Sequence, residues 1–176
     1  MAQSRWRGRP YQPPELRSIW LVFLAFLPQF TVVYLPSSRA SDWFSAACLL
    51  GSLVCFLAFT WLNRWVVGMS ILLIGLALNL TVIASNGGFM PISPQTAGRL
   101  VSENTQADLM PGSRFGPKDI LTLPERTRFE WLADRFLPPE WISYRVAFSL
   151  GDVFIALGAF SLLAFPGLNF KKNRGL

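Results

Sequence analysis

The chain has 176 residues, 52% of them hydrophobic and only 15% charged, with a formal net charge of +6. A soluble domain of this size could not hide so much apolar surface, whereas a bilayer can. Lys and Arg flank the hydrophobic runs instead of forming one patch, which excludes nucleic acid as a partner, and the lack of histidine removes the commonest metal ligand, general base and haem ligand.

Residues 1–18 form a basic, proline-rich tail carrying Arg5, Arg7, Arg9 and Arg17. Ile19 to Leu35 is the first hydrophobic span. It lies close to the roughly 17-residue lower limit for crossing a bilayer, and Pro28 and Gln29 within it predict a kink. A basic leader ahead of an apolar run also resembles a signal peptide, with Ser38-Arg39-Ala40 as small residues for cleavage. The run exceeds an ordinary signal core, so a retained helix is expected.

Trp43 to Leu62 is the second span and Val66 to Ser85 the third. The short Asn63-Arg64 link predicts an antiparallel hairpin. Cys48 and Cys55 sit roughly 10 Å apart along one helix, too far to bridge each other, and read as small buried hydrophobes. Residues 86–143 are polar, rich in Pro and Gly, and hold seven of the ten acidic residues. Ser93-Pro94 has the pattern of a helix start. Phe129, Leu132, Ala133 and Phe136 follow helical spacing, which predicts a short amphipathic helix over Thr127–Phe136, flat on the membrane surface. The loop acids read as its solvated face and those of similar helices. Tyr144 to Phe165 is the fourth span, and residues 166–176 form a second basic tail with Lys171, Lys172 and Arg174.

The fold class expected is therefore an all-α membrane protein: four transmembrane helices and a long extracytoplasmic loop containing short interfacial helices. The distribution of Lys and Arg in short flanks places both termini in the cytoplasm and the loop outside a bacterial inner membrane. Trp20, Trp43, Trp61, Trp65, Trp141 and Tyr144 fall near span ends, where aromatic belts lie.

Asp152 is the most informative side chain. Eight residues into the fourth span, it would lie roughly 12 Å below the interface, where a charge facing lipid costs several kcal/mol. It must face protein or water. Gly151 and Gly158 form a small-residue stripe beside it, with Ala156 and Ala159 on its own face. Gly68 and Gly75 form a matching stripe on the third span, with Asn79 one turn beyond and at the depth of Asp152. Small residues let helices approach closely, so the third and fourth helices are expected to pack along these seams. Asp152 then bonds Asn79, or the backbone of the Asn86-Gly87-Gly88 turn. A structural clamp is the leading role for Asp152; a proton or cation site, with Arg145 as a pairing candidate, or a ligand contact are the alternatives. Asn86 to Pro91 reads as a helix stop. No nucleophile–base pair and no metal-ligand spacing is present.

At these residues the chain resembles an uncharacterised family of small bacterial integral membrane proteins, a domain of unknown function. Asn-Gly-Gly-x-Met-Pro at 86–91, Phe115 to Asp119, Thr127 to Asp134 with its Trp-Leu-x-Asp ending, and Phe148 to Gly158 with Ser149-x-Gly151-Asp152 occur in order. The resemblance implies no activity. It implies that the turn at Asn86, the loop and Asp152, with Ser149 and Gly151, belong to one shared construction. The function expected is a non-catalytic accessory or structural subunit of a larger membrane complex, photosynthetic or respiratory being the contexts considered. No cofactor is expected; lipid, quinone or carotenoid are the contacts such a surface would accept, and the bilayer and other membrane subunits are the partners. A small transporter or channel component using Asp152 and an envelope-lipid enzyme are the alternatives.

Overall fold

The computed structural model of the chain describes residues 14–34, 42–101, 109–139, 141, 142 and 144–165. Both basic tails expected from the sequence, apart from residues 14–18, lie outside them. Four apolar helices form a bundle: α1 (Trp20–Tyr34), α2 (Asp42–Leu62), α3 (Met69–Ser85) and, late in the chain, α5 (Leu150–Ala164). α1 contains Pro28. Among the described residues only α2, with 21 residues, is long and apolar enough to cross a membrane; α3 has 17 and α5 has 15.

The segment between α3 and α5 makes a compact cap. β1 (Met90–Ile92) pairs in parallel with β3 (Asp119–Leu121), which pairs antiparallel with β2 (Arg114–Phe115), in the order β1-β3-β2. A one-and-a-half-turn helix α4 (Pro94–Gly98) follows β1. Ser93 caps it, accepting a hydrogen bond from the Thr96 amide at 3.1 Å, and proline occupies its first position, as the Ser-Pro pattern predicted. The chain is mostly helical with a small sheet, which corrects the all-α expectation.

Thr127–Phe136 is not a helix. Two 3-10 turns, Pro124–Arg126 and Glu130–Leu132, are separated by Phe129, which takes a left-handed conformation at φ 55°. Beyond them Asp134 extends and pairs with Ile92, its amide donating to Pro91 O at 3.1 Å. Backbone bonds to β1 outcompete a helix whose spacing was right but whose apolar residues are needed on different sides: Leu132 and Ala133 go inward while Phe129 and Phe136 stay largely exposed. The last helix also starts later than expected, at Leu150 instead of Tyr144. Phe148 is held extended by a backbone exchange with Phe136, at 2.9 and 3.1 Å, so the helix cannot begin before Ser149.

Three small cores run along the molecule. Phe59, Val66 and Met69 join Leu21, Leu72 and Leu162 at the end away from the cap. Val82 and Ile83 of α3 meet Met90 and Leu132 at the junction. Ile92, Ala97, Leu121 and Ala147 fill the cap itself. Between α3 and α5 the backbones nearly touch. A Cβ on Gly75 would lie 2.6 Å from Gly151 O, and one on Gly158 would lie 2.6 Å from Leu72 N. The glycine stripes therefore meet as expected, while Ala156, assigned to the Asp152 face, is exposed.

Candidate functional site

The seam between cap and bundle is built from the ends of α3 and α5. Asp152 is the third residue of α5, where the amides of the first turn lack helical partners. Ser149 Oγ accepts from the Asp152 amide at 3.1 Å, and Asp152 Oδ2 accepts from the Ser149 amide at 2.9 Å: a reciprocal capping box with Asp in the place of Glu. This overturns the expected depth. Asp152 stands at the helix entrance, where the dipole favours an anion, and not two turns inside a span. Arg145 is exposed.

Asn79 of α3 closes the group. Its Nδ2 donates to Asp152 Oδ1 at 2.8 Å, and its Oδ1 accepts from Ser149 Oγ at 2.9 Å. Ser149 is fully buried and Asn79 nearly so. Of the two partners considered for Asp152, the structure selects Asn79. Gly151 is required beside it, because a Cβ there would collide with Asn79 Oδ1.

Asn86 caps the C-terminal end of α3, directly after Ser85. Its Nδ2 donates to Val82 O at 2.7 Å and to Arg128 O at 2.9 Å, while its Oδ1 accepts from the Arg128 amide at 3.0 Å. The side chain thus pairs with a loop residue as a strand neighbour would. Gly87 and Gly88 have φ of 78° and 88°, and Gly88 also packs so closely on Ala46 that no Cβ fits. At the opposite end of the bundle Asn63 repeats the device: Oδ1 accepts from the Arg17 amide at 2.7 Å and Nδ2 donates to Arg17 O at 2.9 Å.

Sequence reasoning missed the second half of the seam. Lys118 Nζ lies 2.8 Å from Asp119 Oδ1 and 2.5 Å from Asp134 Oδ2. Asp134 is 1% exposed, and its Oδ1 has no hydrogen-bond partner among the described residues. These are the loop acids read as solvated. Burial pushes the Asp134 carboxyl up to about 6; Lys118 opposes the shift, and the charges of Asp119 and Asp152 add to it. Burial also raises Asp119, again against Lys118 and with Asp152. For Lys118, burial alone would lower the value. The two carboxylates outweigh burial and hold the ammonium well above its ordinary range. The available signal was the position of Asp134 directly after the buried Leu132-Ala133 pair, and that of Lys118-Asp119 at the start of a strand.

Beside Asp134 lies a cavity of about 180 Å³ lined by Ser93, Thr96, Thr122, Thr127 and Arg135 among others. Among the described residues no group of three His, Cys, Asp or Glu is placed to hold a metal ion. The arrangement can satisfy donors, hold a charge and exchange a proton.

Apolar helices closed at one end by a polar cap on a small mixed sheet define the class: a helical-bundle protein with a capping subdomain. The chain belongs to a family of unknown function, DUF5317, whose sequence model matches residues 14–164. Neither the curated proteins nor the solved structures contain a match to it.

Proposed function

We propose that this is a multi-pass protein of a bacterial inner membrane, with both termini cytoplasmic and the cap outside, and that it serves as a non-catalytic structural or accessory subunit of a larger membrane assembly. The observation that carries the reading is the outward face of the helices. Phe23 and Leu27 on α1, Val54 on α2, Ile74 on α3 and Phe160 on α5 are large, apolar and exposed. Exposed apolar side chains on four neighbouring helices make a surface that water disfavours and lipid accepts. α2 spans about 31 Å by helix rise, and the shorter α3 and α5 about 26 and 22 Å. A bundle of such lengths suits a bilayer that thins locally around it. The cap meets the C-terminal end of α3 and the N-terminal ends of α2 and α5, so it lies at one end of the bundle. Arg64, stacked on Trp61 and Trp65 at 4.5 and 5.1 Å, lies at the other.

The subunit reading draws on the cap. Met110, Trp131 and Trp141 are exposed there, and exposed aromatic and Met side chains are favoured at protein–protein interfaces. A transport role for Asp152 is less favoured, since both its oxygens are committed to Asn79 and to the Ser149 amide. The test is purification from alkali-washed membranes in a mild detergent. A stoichiometric set of co-purifying membrane subunits is expected. Release of the chain by the alkaline wash would refute the membrane reading, and a clean monomer in native detergent would refute the subunit reading.

A further inference from the structure

Three carboxylates from three separate elements converge on the seam: Asp119 from β3, Asp134 from the segment after the second 3-10 turn, and Asp152 from α5. Lys118 is the ammonium that contacts Asp119 and Asp134. Glu130, in the second 3-10 turn, and Arg135, next to Asp134, pair with each other at 2.9 Å. β1 and α3 contribute no ionisable side chain, and β2 contributes Arg114, whose guanidinium donates to Ser45 and Pro117 O and faces Asp42 instead. Negative charge is therefore in excess in a buried place. A carboxylate oxygen that is buried and has no donor is the costliest acceptor to leave charged, and among the described residues Asp134 Oδ1 has none.

We propose that the Asp119–Lys118–Asp134 group is a proton-binding site that fastens the cap to the α3–α5 pair as the pH falls. A proton on Asp134 removes one of the like charges that repel across the seam, and it leaves Lys118 to neutralise Asp119. The proton comes from solvent; no bond other than O–H forms. Loss of the proton restores repulsion between cap and α5 and loosens the joint. Because the folded cap holds this proton more readily than the unfolded chain, folding takes up a proton between about pH 4 and pH 6. The contribution of Asp134 to stability is therefore present at the acidic end and lost as the pH rises through about 6. The site does not depend on the membrane reading, and its test can fail separately.

The experiment follows thermal unfolding and infrared absorption of the full chain in detergent between pH 7.5 and pH 5. Relative to Asp134→Asn, the wild-type melting temperature rises by roughly 2–4 °C on acidification, and Asp134→Asn melts at or above wild type at pH 7.5. The acid-minus-neutral infrared difference shows a protonated-carboxyl C=O band in wild type that Asp134→Asn lacks. If that variant does not fold, Asp119→Asn carries the test: relief of repulsion makes the Asp134 carboxyl easier to ionise, so the band shifts to lower pH. A wild-type spectrum without the band, a band unchanged in Asp134→Asn, or a band that keeps its midpoint in Asp119→Asn overturns the proposal.

Discussion

The close contact at Gly75 supplies the sharpest prediction, because the same substitution should act with opposite sign at two glycines. A methyl group added at Gly51 on α2 would meet nothing within 4 Å, whereas one added at Gly75 on α3 would meet Gly151 O at 2.6 Å and Ile155 N at 2.8 Å. Alanine in a helix interior gains about 1 kcal/mol over glycine. Gly51→Ala should keep most of that gain and raise the melting temperature by roughly 2–4 °C. At Gly75 the obstructing atoms are backbone and cannot rotate away, so the two helices must part by about half an ångström, with an overpacking cost of about 1–3 kcal/mol. Parting also stretches the Asn79–Asp152 bond one turn further along; bonds to charged groups contribute about 1.5–3 kcal/mol. The sum is a net loss of about 1.5–5 kcal/mol after the propensity gain, or a fall of roughly 3–20 °C. The assay is thermal unfolding of each variant in one detergent, followed by tryptophan fluorescence. A Gly75→Ala protein as stable as Gly51→Ala would refute the close α3–α5 crossing and the seam built on it.

Ser149→Ala removes the cap of α5 and strips the donor from Asn79 Oδ1; a loss of about 2–4 kcal/mol in the same melt is expected from the cap and the unsatisfied acceptor together. Asn86→Ala frees the loop at Arg128 while leaving the glycines of the turn intact, so limited proteolysis should cut within residues 124–139 several-fold faster with little change in the melting of the bundle.

The helices of the hairpin and the start of α4 were legible because each is a local property: apolar runs, a short link, a serine followed by proline. The link itself runs from Asn63 to Gly68, longer than the two residues expected, and α3 starts at Met69 instead of Val66. The pairing of α3 with α5 was legible too, since glycine stripes at Gly68, Gly75, Gly151 and Gly158 show where backbones can meet without knowing the loop between them. What failed was decided by contacts distant in sequence. Thr127–Phe136 has helical spacing, but Ile92, some forty residues earlier, claims Asp134 as a bridge partner. The depth of Asp152 was misjudged because Phe136 holds Phe148 extended and shortens the helix from its start. Asp119 and Asp134 look like ordinary surface acids until β1, β3 and α5 bring them against one lysine. The pairing of Asp152 with Asn79 survived the error in depth because α3 ends where α5 begins.

The parallel pairing of β1 with β3 bears on how the molecule assembles. Asn79 and Asp152 are 73 residues apart, and closing a flexible loop of that length costs about 4 kcal/mol of chain entropy. The cap divides that closure into stages. Met90 joins Asp119, Ile92 joins Asp134, and Phe136 joins Phe148. Each pairing leaves a shorter free stretch before the next, and the last sets Ser149 one residue beyond a strand that is already anchored. A cap that pairs first would deliver the final helix to its partner over a short free stretch of chain. A substitution that slows the cap's sheet should therefore appear first as a late-arriving α5, with the α2–α3 hairpin already in place.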